Sequence, residues 1–167
     1  MLTTASLIDS AIALQPLLRR DAAHIERERR LSDEVFTALY AMDAFNLQLA
    51  AQYEGPAADP ITHLRVIEEL SRGDASSGWC AMVGSESSAC VNAFLEPAVV
   101  RAMLREPARA VVALTAVGAG RAYEVTGGYR ASGRWRFTSG CRHARWLGGL
   151  CAVYEATPRG CARMARQ

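Results

Sequence analysis

The sequence predicts an α+β fold: an all-α helical domain over residues 1–107, then a truncated antiparallel β-barrel domain over residues 108–167. Three observations carry this reading. Apolar residues recur at helical spacing up to about Glu106 and at a spacing of two beyond Pro107. Helix-start signatures at Ser32 and at Asp59-Pro60 both fall in the first half. Gly127-Gly128 sits between two strand-like runs and signals a two-residue hairpin. The chain has 167 residues, half of them hydrophobic, which suits one domain, or one domain and part of another.

Taken in order, Ser6–Arg30 reads as a helix with apolar Leu7, Ile8, Ala11, Leu14, Leu17 and Leu18, followed by a charged run that suits a solvated face. Pro16 is expected to mark a kink or a helix start. Ser32 caps a second helix with Asp33 and Glu34 in its first turn, Leu31 stapling against Phe36, and an end near Ala44. Tyr53-Glu54-Gly55-Pro56 is a loop. After Asp59-Pro60, an apolar stripe of Ile61, Leu64, Ile67 and Leu70 runs to Gly73. Asp74 opens a helix of small residues from Ala75 to Ala93, in which Trp79, Met82 and Val83 are the large side chains; such a surface lets backbones, or a flat ligand, come close. Glu96-Pro97 starts a short helix that ends near Pro107.

Val111–Leu114 opens the β half. Ala122–Thr126 and Tyr129–Phe137 are the hairpin arms. Along the second arm Tyr129, Ala131, Gly133, Trp135 and Phe137 alternate with polar residues, which predicts one buried and one wet face. Trp146–Tyr154 is a further strand. The tail Thr157–Gln167 shows no periodicity able to finish the sheet, so the second domain reads as incomplete and its open edges predict self-association into a homo-oligomer.

Composition removes several function classes. All 19 basic residues are arginine, which removes Schiff-base chemistry and a phosphate-loop lysine. A net charge of +2 gives no basic patch for nucleic acid. No apolar run approaches the ~18 residues of a membrane span, and no secretory signal precedes the first helix, so a cytoplasmic protein is expected. Cys80, Cys90, Cys141, Cys151 and Cys161 form no CxxC pair, and His24, His63 and His143 form no cluster. Free thiols and no metal site follow.

Two segments carry chemistry. Leu114-Thr115-Ala116-Val117-Gly118-Ala119-Gly120-Arg121 is a strand breaking into a glycine-containing loop, where amides can approach a ligand. Gly133-Arg134-Trp135-Arg136-Phe137-Thr138-Ser139-Gly140 ends an aromatic-rich strand in two hydroxyls and a glycine, a pattern that can face a planar ring. On the alternation, Ser139 shares the face of Trp135 and Phe137, and Thr138 takes the other.

Together with Ile25–Leu31, Asp43-Ala44-Phe45 and Glu68–Trp79, these segments resemble the acyl-CoA dehydrogenase superfamily, and within it the flavin-dependent monooxygenase branch of two-component hydroxylases. The resemblance spans roughly residues 10–155. It implies a helical domain, a middle β domain and a C-terminal four-helix bundle, of which this sequence holds the first and about half of the second. The catalytic base would lie in the bundle, so no catalytic residue is assigned and turnover by this chain alone is not expected. The resemblance further implies reduced FMN or FAD as cofactor, a small aromatic or polycyclic substrate, and a separate flavin reductase. Thr115 and Gly118 fall in the loop that lies along the flavin, where Ala116, Val117 and Arg121 depart from the family's usual Glu, Pro and Ser. Losing that serine argues against ordinary acyl-CoA binding. Phe137, Thr138, Ser139 and Gly140 fall at the strand end beside the flavin ring, with Ser139 expected nearest its reactive nitrogen. Trp79, Met82 and Arg121 fall on the substrate side. The alternatives are an FAD-dependent acyl-CoA dehydrogenase proper and a non-catalytic helical interaction module.

Overall fold

The computed structural model describes residues 4–104, 111–155 and 163–164. Five helices come first: α1 (Thr4–Glu28), α2 (Asp33–Ala41), α3 (Pro60–Gly73), α4 (Ala75–Phe94) and α5 (Pro97–Leu104). Single 3-10 turns at Ala44–Asn46 and Ala51–Tyr53 lie between α2 and α3. Four strands follow: β1 (Val112–Val125), β2 (Gly128–Ser132), β3 (Trp146–Glu155) and β4 (Arg163–Met164).

The caps explain the helix starts. Ser32 is extended (ψ 156°) and its hydroxyl accepts from the Val35 amide at 3.2 Å. Asp59 accepts from the amides of Ile61 and Thr62, with Pro60 in the first turn. Asp74 closes α3 through its own N–H and caps α4 with its carboxylate, which takes both the amide and the hydroxyl of Ser77 at 2.7 Å. Each cap satisfies donors that a helix otherwise leaves without partners. Pro16 does not interrupt α1. Ile12, four residues before Pro16 and so without that residue's N–H as partner, and Pro16 itself are both exposed, so the helix runs through on its solvent side, where water can take the place of the lost bond.

The core forms where α1, α2 and α3 close on α4. Leu7, Ala11, Leu18 and Ile25 of α1 meet Val35 and Leu39 of α2, Val66 and Leu70 of α3, Ala81 of α4, and Phe45 of the first 3-10 turn. Phe45 is 2% exposed; its burial stabilises by about 2–3 kcal/mol. The stripe expected on α3 is rotated. Ile61 and Leu64 are 61% and 60% exposed, while Thr62, His63, Val66 and Leu70 are buried. The cap is the reason: the Thr62 hydroxyl bonds Asp59 and reaches Thr4 of α1, which turns that side inward.

The small residues of α4 serve the protein's own backbone. Gly84 lies against the Phe45 ring, and Gly78 against the Ser71 hydroxyl. The buried serines each fix a neighbour: Ser85 accepts from the Gln48 amide (3.2 Å), Ser88 donates to Asn46 Oδ1 (2.8 Å), and Ser87 accepts from the Leu114 amide of β1 (3.1 Å). The last of these joins the helical layer to the sheet.

The sheet has the order β2-β1-β3-β4 and is mixed. β1 and β2 pair antiparallel, as expected, with Val125 opposite Gly128, so Thr126-Gly127 is the two-residue loop rather than Gly127-Gly128. β1 and β3, however, pair parallel from Val112 opposite Trp146 to Tyr123 opposite Tyr154. The expected all-antiparallel barrel is corrected on this point. The connection 133–145 passes the start of β1 instead of making a second hairpin, and Val111 O takes the amides of Arg145 (2.8 Å) and Trp146 (3.3 Å) on the far side. The register shifts between Thr115 and Gly120, which lifts residues 116–119 out of the ladder as a bulge.

The second hairpin arm is also shorter than expected. β2 ends at Ser132 and is exposed throughout, with no second layer over it among the described residues. Beyond it Trp135 lies across the β1–β3 pair, its indole N–H donating to Leu150 O at 2.9 Å, and a Cβ at Gly120 or Gly149 would collide with its ring. Phe137 adopts φ +59° and is 84% exposed. Trp135 and Phe137 therefore share no strand face, and the expected alternation that placed Ser139 beside them does not hold. Cys161, the expected helix end near Pro107 and most of the tail lie outside the described residues.

Candidate functional site

Three corners of the chain meet around a cavity of about 620 Å³. The first is the α1–α2 corner. There α1 stops at Glu28, Arg29 turns into the left-handed region (φ +52°) and Leu31 is buried. The second is the capped start of α4, with Ala75, Ser76, Trp79 and Cys80. The third is the turn 138–143, in which Gly140 at φ +79° lets its carbonyl accept from the amides of His143 (2.9 Å) and Ala144 (3.1 Å). A side chain at this φ would be strained, so the glycine is required here.

Two long-range bonds seat that turn against the helices. The Leu31 amide donates to His143 Nε2 at 2.9 Å, and Arg142 Nη1 donates to Glu28 O at 3.0 Å. The His143 ring also stacks on Phe36, centroids 5.7 Å apart at 17°. Burial holds the His143 pKa below its ordinary value, and the positive charges of Arg30 and Arg142 add to the lowering. Neutral His143 accepts at Nε2, so the hydrogen-bond pattern assigns its proton to Nδ1. That Nδ1 atom is buried without a partner. Burial pushes the Cys80 thiol up to about 11, so Cys80 forms cavity wall and is not a thiolate nucleophile.

Four of the residues expected from the sequence come together here: Trp79, Thr138, Ser139 and Gly140 all line the cavity. Trp79 is 55% exposed. Among the described residues neither the Thr138 nor the Ser139 hydroxyl has a hydrogen-bond partner, so both are available to a ligand. Thr115 is placed differently. It is 2% exposed, and its hydroxyl donates to Arg136 O at 3.0 Å and accepts from the Val117 amide at 3.3 Å. It anchors the segment leading to Phe137. Gly118 lies on the bulge with open space around it. Met82, Phe137 and Arg121 are outside the cavity lining, Arg121 exposed on β1 opposite Ser132 and Ala152.

The sequence reading did not single out His143, Cys80 or the arginines Arg29, Arg30 and Arg142 as site residues. Their signal is tertiary: His143 is 112 residues from its partner Leu31. The available hydroxyls, the apolar wall and the planar Trp79 fit one side of a flavin or aromatic ring, which needs apolar contact on its face and donors at its edge.

The chain is similar to known proteins in sequence and in fold. Residues 13–109 match the family described as acyl-CoA dehydrogenase, N-terminal domain. The chain is 31% identical over 140 residues to the oxygenase subunit HsaA of a flavin-dependent monooxygenase from Rhodococcus jostii (strain RHA1), covering 82% of this chain and 36% of that protein. It is 29% identical to the oxygenase component of an FADH(2)-dependent resorcinol hydroxylase from Rhizobium sp. (strain MTP-10005), over 88% of this chain and 35% of that one. The HsaA monooxygenase structure from M. tuberculosis superimposes with a TM-score of 0.86 at 26% identity, over 97% of this chain and 41% of the other. XiaF from Streptomyces sp., in complex with FADH2 and glycerol, gives 0.83 at 26% identity, over 96% and 40%. The chain thus spans about a third of the length of the curated relatives it matches. With the family match covering more than half of its residues, and with monooxygenase oxygenase subunits among its relatives, this chain belongs to the acyl-CoA dehydrogenase family.

Proposed function

We propose that the chain forms the flavin- and substrate-facing part of the oxygenase component of a two-component monooxygenase that hydroxylates an aromatic or polycyclic compound. The observation that carries this is the cavity in which Trp79 and the available hydroxyls of Thr138 and Ser139 converge. Reduced FMN or FAD, delivered by a separate flavin reductase, supplies the activation of O2 when bound. The protein's own part is positioning and exclusion of water. Ser139 and Thr138 donate to the ring edge, Gly140 lets the backbone approach, and Trp79 faces the substrate. Thr115 holds Arg136, and so fixes the backbone entering Phe137; Gly118 leaves the bulge open to lie along the cofactor.

Residues 1–107 and 108–167 act as two units in this reading, and the apolar Leu147 and Leu150 exposed on β3 make the protein a homo-oligomer. Anaerobic equilibrium dialysis of the chain against reduced FAD and reduced FMN tests the reading. Saturable binding of either is expected; no binding of either by the folded chain overturns it.

A further inference from the structure

The connection between β2 and β3 is clamped at both ends on residues 111–115. The Thr115 hydroxyl donates to Arg136 O at 3.0 Å, and the amides of Arg145 and Trp146 donate to Val111 O at 2.8 and 3.3 Å. Between these clamps the backbone enters the left-handed region at Phe137 (φ +59°) and Gly140 (φ +79°), and Cys141 and Arg142 are exposed. Thr138 and Ser139 are carried on this stretch. Its middle meets the helical layer through His143, which accepts from the Leu31 amide and stacks on Phe36, and through Arg142, which donates to Glu28 O.

These two tethers respond differently to pH. A guanidinium keeps its charge and its donors. An imidazole accepts at Nε2 only while neutral; once protonated it has two N–H donors and no acceptor. Protonated His143 would set its Nε2–H against the Leu31 N–H across 2.9 Å. Leu31 is buried, so its amide would lose an acceptor with little water at hand. The charged groups around the ring act in the same direction. Arg30 at the α1–α2 corner and Arg142 on the turn both oppose a further positive charge. Asp33 at the start of α2 favours it, but its side chain is 93% exposed and already paired with Arg30 at 2.7 Å. Glu26 and Cys80 line the same cavity from α1 and α4; Glu26 is exposed, and the Cys80 thiol, pushed up to about 11 by burial, is neutral.

We infer that His143 is a positioning residue: neutral, it docks the stretch 138–143 against the helices, and its protonation releases that stretch together with the Thr138 and Ser139 hydroxyls. The consequence for the cofactor, a reduced-flavin affinity that falls when His143 is protonated, rests on the proposed function.

The test uses the 167-residue chain and two variants. His143→Gln keeps an acceptor that does not titrate, and His143→Ala has none. The first readout is hydrogen exchange of the Leu31 amide, taken as the ratio of wild type to His143→Gln at each pH so that intrinsic exchange rates cancel. Between about pH 8 and about pH 5 the wild type should lose protection relative to His143→Gln by about fivefold or more, the worth of one hydrogen bond. The loss should begin below the ordinary histidine value of about 6.5 and follow the lowered folded value. His143→Ala should be less protected than His143→Gln at every pH. The Val66 amide of α3, in the core, is the internal reference. A Leu31 ratio that stays flat, or that changes only in step with Val66, overturns the inference.

The second readout is reduced-FAD affinity by anaerobic equilibrium dialysis at the same pH values. The wild type should bind tightest at about pH 8 and fall below His143→Gln at about pH 5; the ionisation of the flavin itself is common to both and cancels in their ratio. A Leu31 ratio that changes while the affinity ratio stays flat overturns the role of His143 toward the flavin. Absence of flavin binding by the wild type at every pH, with the Leu31 ratio changing as expected, sinks the proposed function and leaves the release of the turn standing.

Discussion

Leu31 and His143, 112 residues apart, are joined by one hydrogen bond of 2.9 Å from the Leu31 amide to His143 Nε2. Through it the corner between α1 and α2 holds the turn carrying Thr138 and Ser139. Replacing His143 by Ala leaves a partly buried amide without an acceptor and removes the stack on Phe36. The expected cost is about 1–3 kcal/mol, read as a lower urea midpoint at unchanged slope.

The burial of His143 makes stability depend on pH. The folded state holds the pKa of His143 below its ordinary value, chiefly through burial, and that of His63 likewise. The unfolded chain therefore takes up protons that the folded chain refuses. Stability is fully present above about pH 6.5, the ordinary histidine value, and is lost as pH falls from there through the lowered folded values. Thermal melts between pH 8 and 5 should show falling midpoints, with a shallower fall in His143→Gln; a midpoint that rises on acidification contradicts this.

Gly84 and Phe45 test the packing of α4. A Cβ at position 84 would lie 2.9 Å from Phe45 Cδ1, closer than packing tolerates. Gly84→Ala should destabilise by about 1–3 kcal/mol through overpacking. Gly118→Ala, with nothing within 4 Å of the added carbon, should leave stability within about 0.5 kcal/mol. Reduced-flavin affinity that drops in Gly118→Ala, with the melt unchanged, supports the bulge as a cofactor contact.

Helix starts and the hairpin were legible in the sequence because each has a local cause. Ser32, Asp59 and Asp74 cap through bonds that reach two or three residues ahead. What was not legible depends on distant partners. The buried side of α3 is set by contact with α1, so Leu64 reads as core and is exposed. The parallel pairing of β3 follows from where Val111 O captures Arg145 and Trp146, which no alternation within either strand records. The strand expected through Phe137 fails because Trp135 leaves the hairpin to cover Gly120 and Gly149. His143 looked isolated because its partner is a backbone amide rather than another side chain.

The apolar groove of about 500 Å³ between the end of α4 and β3, walled by Phe94, Leu147 and Leu150, predicts self-association. These side chains are 84%, 68% and 50% exposed. Sedimentation velocity should show dimers or larger species at tens of micromolar, and Leu147→Glu should shift them to monomer. A monomer in the wild-type chain at that concentration contradicts the prediction.

Ser139 and Thr138 both line the cavity, and the proposed flavin contact can be tested at each. Ser139→Ala should weaken reduced-flavin binding about fivefold, the value of one hydrogen bond of about 1 kcal/mol. Thr138→Ala should weaken it as well. Equilibrium dialysis in which neither substitution changes the affinity contradicts a flavin contact at this turn.

The account turns on where the flavin sits, and hydrogen exchange followed by mass spectrometry locates it most directly. With reduced FAD present, amides of residues 138–143 and of the first turns of α4 should exchange more slowly, while β2, exposed and remote from the cavity, should be unchanged. Protection confined to other segments, or no protection at saturating flavin, would contradict the assignment of this cavity as the flavin site.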